Sequence, residues 1–182
     1  MGVPLARLPP LPALRALPSP PHPASGMGDG PFLIGAMLAE APQGIVRSGF
    51  VIVQPDGIGP TVLGARGGFV PLSGSPRVTR GSPGSGRRRR DDAAVIVAGL
   101  AHALAIAGGR ISIDGARVLA VPDVGSLPEL RIPLMLKRLV LVAAVDDPSF
   151  ANETVVRFAA ERLRSQGRRV GVVMLGNDRN DA

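Results

Sequence analysis

Apolar and polar positions form blocks along the second half of the chain, and the blocks predict alternating strands and helices. Short apolar runs at residues 94–97, 117–121, 139–144 and 170–175 are bounded by polar or glycine-rich segments. Runs that are apolar throughout, rather than alternating, are typical of parallel strands covered on both faces. Residues 93–182 are therefore predicted to form an α/β domain, with a parallel four-stranded sheet and flanking helices.

The clearest helix signal covers residues 148–167. Asp147 can cap this segment and Pro148 suits its first position, while Gly167 is typical of a residue just past a helix end. Apolar residues at helical spacing are predicted to face the sheet: Val155, Val156, Ala159, Ala160 and Leu163. Aspartate in place of Val156 or Leu163 should then unfold this half of the chain.

The first half divides into three segments of different composition. Residues 1–31 are proline-rich, which excludes a continuous helix and favours extended chain. Residues 32–78 read as a small β subdomain, an antiparallel meander whose strands are kept short by glycines and by a Gln-Pro-Asp-Gly turn at residues 54–57. Residues 79–92 form a Ser/Gly/Arg linker that leads into the α/β domain.

Composition narrows the classes of function. The chain has 182 residues, no cysteine and only two histidines, His22 and His102. Thiolate metal sites and disulfides are excluded, and a zinc site or a histidine-based triad is disfavoured. Since no apolar run reaches the roughly 18 residues of a membrane span, we expect no membrane association and a cytoplasmic location.

Positive charge is concentrated in the first half. The formal net charge is +7, and all of the excess lies in the first 90 residues. Arginines could contact phosphates of DNA there; the candidates are Arg47, Arg66, Arg77, Arg80, Arg87, Arg88, Arg89 and Arg90. The alternative is that residues 87–90 are a solvated loop, partly neutralised by Asp91 and Asp92. An arginine-rich composition is also typical of a GC-rich genome.

Three segments together resemble the Toprim domain of phage- and plasmid-type DNA primases, the primase–helicase group. Members carry a strand ending in Glu-Gly before a helix, and residues 95–104 are similar to that piece. They later carry an Asp-x-Asp strand end followed by Pro and a helix, similar to residues 142–148. They finish with a strand and a Lys-Asp-x-Asn-Asp-type tail, similar to residues 169–173 and 177–181.

The chain departs from the family pattern at the residues that carry the chemistry. The family uses the glutamate after its first strand as a general acid/base for phosphoryl transfer, and Ala98 stands at that position. The Asp-x-Asp pair becomes Val145-Asp146-Asp147, so only Asp147 matches. Asp146 could replace the missing acid only if the strand has ended by residue 145, because neighbouring strand residues point to opposite faces.

The resemblance implies a Mg²⁺ site formed by the remaining acids. Asp147 matches the second acid of the pair, and Asp178 and Asp181 match the acids of the tail. Mg²⁺ is usually held by one or two carboxylates together with phosphates and water, so these residues could still bind it weakly. The alternatives are that Asp147 is only a helix cap and that residues 177–182 are a solvated tail.

Three functions remain open from the sequence. The first is a Toprim-like, primase-related protein of DNA replication on mobile elements, catalytically impaired and acting by binding nucleic acid or a partner. The second is an active Mg²⁺-dependent primase or nuclease-type enzyme; a helicase or zinc-finger partner would be another chain, since neither motif is present. The third is the product of a decayed gene.

Overall fold

The computed structural model describes residues 14–17, 31–54, 60–65, 67–72, 92–107, 116–145 and 150–176. The strands are β1 (Leu14–Leu17), β2 (Phe32–Ala41), β3 (Gly44–Val53), β4 (Thr61–Gly64), β5 (Val70–Pro71), β6 (Ala93–Ala98), β7 (Arg117–Val121), β8 (Arg138–Val145) and β9 (Arg169–Gly176). The helices are α1 (Leu100–Ala105), α2 (Phe150–Ser165) and a 3₁₀ helix (Val124–Glu129).

The first four strands form an antiparallel sheet in the order β1-β2-β3-β4. Strands β2 and β3 are each ten residues long and make a hairpin whose pairs run from Leu33 and Val53 to Ala41 and Gly44. The sheet is larger than the small meander predicted for residues 32–78. It also takes in β1, from the segment predicted only to be extended, because Leu14 buries its side chain in the core.

The second sheet has five strands in the order β5-β7-β6-β8-β9 and is mixed. Strands β6 to β9 pair in parallel, whereas β5 pairs antiparallel with β7 through Val70 and Ala120. The predicted fold class, a Toprim-like parallel four-stranded sheet behind a small meander, is therefore wrong. Val70 and Pro71, expected to belong to the meander, instead form the edge strand that makes the sheet mixed.

A short bridge joins the two sheets. The N–H groups of Leu38 and Phe69 each donate to the other residue's carbonyl at 2.8 Å. This approach needs Gly68, since a Cβ there would lie 2.2 Å from Ser48 Oγ. The bridge forms beside a β-bulge in the β2–β3 hairpin, where Met37 pairs with Gly49 and Leu38 pairs with Arg47, so that Ser48 of β3 is the extra residue.

Strand β6 lies at the centre of two hydrophobic clusters. Ala94, Ile96 and Ala98 pack on the face that α2 covers. Val95 and Val97 pack on the opposite face with α1 and residues of the antiparallel sheet. Both faces of this strand are covered, which explains why its sequence is continuously apolar.

Helix α2 confirms four of the five residues predicted for its apolar face. Val156, Ala159, Ala160 and Leu163 are fully buried in the cluster against β6 and β8, whereas Val155 is only partly buried. Gly167 follows the helix with a positive φ of 79° and turns the chain into β9. The predicted strands at 94–97, 117–121, 139–144 and 170–175 are likewise confirmed, with ends shifted by at most one residue.

Candidate functional site

The strand order of the mixed sheet creates a crevice at its carboxyl edge. The chain passes from β6 to β7 on one side, and then to β8 on the other side of β6. In open α/β sheets such a reversal separates the connections that follow the two central strands, and ligands bind in the resulting crevice. Ala98 at the end of β6 and Ala144 near the end of β8 line a cleft of about 280 Å³ at this point.

The cleft has an apolar floor and a few polar groups around it. The polar side chains come from the residue after β3, from α1, from the turn after β7 and from α2; they are Gln54, His102, Asp123 and Asn152 respectively. A small number of polar groups on an apolar surface is typical of a site that binds and orients a ligand. Within the described residues, no hydrogen bond links His102 to a carboxylate.

A tight turn after β6 positions the histidine. Gly99 adopts a positive φ of 90°, which favours glycine. Its N–H donates to the carbonyl of Val121 at 3.0 Å, and its carbonyl accepts from Ala103 N–H at 3.1 Å. A Cβ on Gly99 would lie 3.2 Å from His102 Nδ1. The turn therefore brings α1 back over the sheet, with its histidine beside the backbone of Gly99.

The carboxylate in the cleft is already engaged in a helix cap. Asp123 Oδ1 accepts hydrogen bonds from the N–H of Ser126 at 2.8 Å and from its hydroxyl at 2.9 Å. Capping of this kind satisfies donors that a helix start leaves unpaired. The interaction fixes Asp123 at the mouth of the cleft and occupies one of its two oxygens.

Most of the residues predicted for the site lie outside the described part of the chain. This holds for the acids Asp146, Asp147, Asp178 and Asp181, and for the arginines Arg66, Arg77, Arg80, Arg87, Arg88, Arg89 and Arg90. It also holds for the predicted cap at Asp147 and Pro148. Ala98 is described and lines the cleft. Arg47 is described too, on β3, with its guanidinium 5.6 Å from the centre of the Phe50 ring.

The structure brings into the cleft residues that the sequence did not suggest. His102, one of the two histidines of the chain, lines the same cleft as Ala98. Asp123 was missed although it follows the apolar run of β7 by two residues, a placement that points to the carboxyl edge of a sheet. Gln54 and Asn152 come from segments whose positions in space no local pattern reveals.

A second cleft lies beside α2 and contains basic side chains held by backbone carbonyls. Arg162 Nη2 donates to the carbonyl of Leu130 at 2.6 Å, and Arg168 Nε donates to that of Leu136 at 3.2 Å. Burial lowers the pKa of both arginines, and the nearby Arg168 lowers that of Arg162 further. These guanidinium groups therefore serve first to hold the loop of residues 130–136 in place.

The described lining of the main cleft does not fit Mg²⁺. It offers a single carboxylate, Asp123, and one oxygen of that group is used by Ser126. In the described part of the chain, no three histidine, aspartate or glutamate side chains are grouped as ligands for a metal ion.

Comparison with known proteins finds no protein-family model, no curated protein and no solved structure that matches this chain. Among the helices that the structure describes, none combines the length and the apolar character that crossing a membrane requires.

Proposed function

We propose that this chain is a catalytically impaired relative of the primase-type Toprim proteins, and that it acts in DNA replication on mobile elements by binding nucleic acid. The observation that carries the proposal is that Ala98, at the end of β6, lines the crevice between β6 and β8. The primase-type motif has its acid/base glutamate at this position. Since general acid–base catalysis contributes about 10²–10⁴ in rate, its loss leaves binding as the stronger activity.

The positions at which β8 and β9 end support the proposed relationship to primase-type Toprim proteins. Strands β8 and β9 are adjacent and parallel, and their register ends with Val145 opposite Gly176. The chain therefore leaves both strands at the same edge of the sheet, and the two acidic segments of the motif follow directly in sequence. No step of the proposed function uses a metal ion.

The environment of Asp92 supports nucleic-acid binding by the arginine run. Asp91 and Asp92 follow the four arginines and were considered as their neutralising partners. Asp92 instead contacts Arg138, with Oδ1 2.7 Å from Nη2, and this hydrogen bond lowers the pKa of the aspartate. Its charge is thus paired with β8, which favours contacts between phosphates and residues 87–90 over self-neutralisation.

Replacing residues 87–90 with glutamine is expected to reduce the salt dependence of DNA binding. Each phosphate contact releases counterions, so losing four contacts reduces the magnitude of the slope of log K against log salt concentration by roughly three on single-stranded DNA and roughly three to four on duplex DNA. The measurement is fluorescence anisotropy of labelled single- and double-stranded DNA across a series of salt concentrations.

The control for this experiment carries the same change of charge on the folded surface. It replaces four exposed basic residues with glutamine, none of them a candidate for DNA binding: Arg131, Lys137, Arg157 and Arg169. Its slope should stay close to that of the wild type. Binding that is indifferent to salt would contradict the proposal, and an equal loss in both variants would contradict the assignment to residues 87–90.

Restoring the two missing acids is expected to create affinity for Mg²⁺. Ala98→Glu and Val145→Asp add carboxylates at the ends of β6 and β8, which are neighbouring strands. Since affinity for hard cations depends on the number of charged ligands, we expect a gain of about tenfold or more by calorimetry. The control pair Ala98→Gln and Val145→Asn should show no gain. Equal affinity in both double variants would refute the alignment with the primase-type motifs.

A further inference from the structure

Strand β9 is an edge strand of the mixed sheet, and its outer edge is suited to pairing with another strand. The sheet order places it beside β8 with no further strand among the described residues. From Val170 to Gly176 the strand carries no charged side chain, and Val172 and Val173 are 36% and 44% exposed. Natural proteins usually protect such an edge with charges, prolines or a bulge, and this stretch has none of them.

The backbone of β9 identifies which groups face outward. Arg169 N–H donates to the carbonyl of Lys137 at 2.7 Å, so this residue directs its peptide groups toward β8. Alternate residues of a strand point their N–H and C=O groups to opposite sides. Val170, Val172, Met174 and Gly176 therefore direct theirs to the open edge.

In the part of the chain that the structure describes, only the beginning of this edge has a side-chain partner. The guanidinium of Arg164 donates to the carbonyl of Val170, from Nε at 3.2 Å and from Nη2 at 2.7 Å. The outward groups of Val172, Met174 and Gly176 have no partner among the described residues. The uncapped segment is apolar, and Met174 lies at its centre.

We propose that β9 pairs antiparallel with β9 of a second copy of this chain, joining the two mixed sheets into one. A two-fold axis perpendicular to the sheet keeps α2 on the same face in both copies, and it requires one residue to lie opposite its own copy. An axis at Met174 places Val172 opposite Gly176 of the second copy. All uncapped outward groups are then paired, and the carbonyl of Val170 stays with Arg164.

The side chains are compatible with this register. On the face opposite α2, Val173 lies across from Leu175 of the second copy, so exposed apolar surface meets apolar surface. Paired residues on opposing strands have Cβ atoms about 4.5–5.5 Å apart, close enough for these side chains to contact each other. No charge falls inside the interface, whereas each copy carries a net charge of +7. Salt should therefore strengthen the dimer by screening the repulsion between copies.

The test is sedimentation velocity of the full chain, free of nucleic acid, over about two decades of concentration and at low and high salt. We expect a monomer–dimer equilibrium that shifts toward dimer with salt. Val173→Lys should weaken it by about tenfold or more, since a charge on an edge opposes strand pairing. The control is Ile45→Lys, at a residue of β3 with a similar exposure of 41%, and it should leave the equilibrium unchanged.

Amide exchange followed by NMR on the wild type tests the register without any substitution. The amide protons of Val172, Met174 and Gly176 should become protected as concentration rises. Those of Gly171, Val173 and Leu175, which point to β8, should be protected at every concentration. A chain that stays monomeric, a series of assemblies larger than the dimer, an equal effect of both lysine variants, or outward amides that exchange fast at all concentrations would each overturn the proposal.

Discussion

Replacing Leu163 with aspartate is expected to abolish cooperative folding of the chain. Leu163 is fully buried on α2, in the cluster that joins this helix to β8 and to the loop before it. An ionised carboxylate in such a place has no partner, and burying it costs several kcal/mol in addition to the lost packing. Because the free energy of unfolding of a domain is only about 5–15 kcal/mol, this change removes most or all of it. Thermal melting by circular dichroism measures the effect.

Phe158→Asp provides the control on the same helix. Phe158 is 59% exposed, so the same new charge remains hydrated and its partners in the core are few. The melting temperature of this variant should stay within a few degrees of the wild type, as expected for a surface substitution. If Leu163→Asp melted cooperatively near the wild-type temperature, the packing of α2 against the sheet would be incorrect.

Helix α2 could be predicted from the sequence because its signals are local. Apolar residues recur at the helical period from Val156 to Leu163, and Gly167 marks the end. Strand β7 was predicted with its observed ends, since a continuous apolar run is bounded by a charged residue and by Pro122. In both elements, the pattern of apolar residues within the segment indicates the type of element and the side chains that it buries.

The place of β5 in the mixed sheet could not be predicted, because its pairing is not local. Val70 and Pro71 are too few to show a period, and their partners Ala120 and Leu119 lie far along the chain. The same holds for β1, where the proline-rich surroundings suggested only extended chain. Local propensity favours an extended backbone in both segments, but it does not specify which sheet they join.

The candidate site was accessible to sequence reasoning only in part. Ala98 could be placed at the carboxyl edge, since it ends an apolar strand that is followed by a glycine turn. Asn152 could not be placed beside it, because its proximity depends on the reversal of strand order between β6 and β8. Strand order is set by packing over the whole domain rather than by the residues of any one strand.

The burial of Arg168 is a further feature that the sequence does not indicate. An arginine at the start of a strand would ordinarily be read as a solvent-exposed charge, like its neighbour Arg169. Arg168 is instead 6% exposed, and its guanidinium donates to the carbonyls of Leu136 and Ile132, both at 3.2 Å, and to Gln166 Oε1. It thereby connects the turn after α2 to the loop that leads into β8.

Replacing Arg168 with methionine is expected to destabilise the protein by about 2–3 kcal/mol, because two buried backbone carbonyls lose their donors and each loss costs about 1–3 kcal/mol. The substitution also removes the free-energy penalty of burying the guanidinium charge, and this offsets part of the loss. For a chain of this length the melting temperature should fall by about 5–10 °C. Arg169→Met is the matched control, since Arg169 is exposed and bonds to Lys137 through its backbone N–H, which the substitution retains.

A comparison with lysine separates the two contributions at Arg168. Lysine keeps the charge but cannot donate along the two directions of the planar guanidinium fork, so Arg168→Lys should also be less stable than the wild type. An Arg168→Met variant that melts at or above the wild-type temperature would show that the burial of charge outweighs the hydrogen bonds. The loop of residues 130–136 would then be held by its buried apolar side chains, Leu130, Ile132 and Leu136, rather than by the arginine.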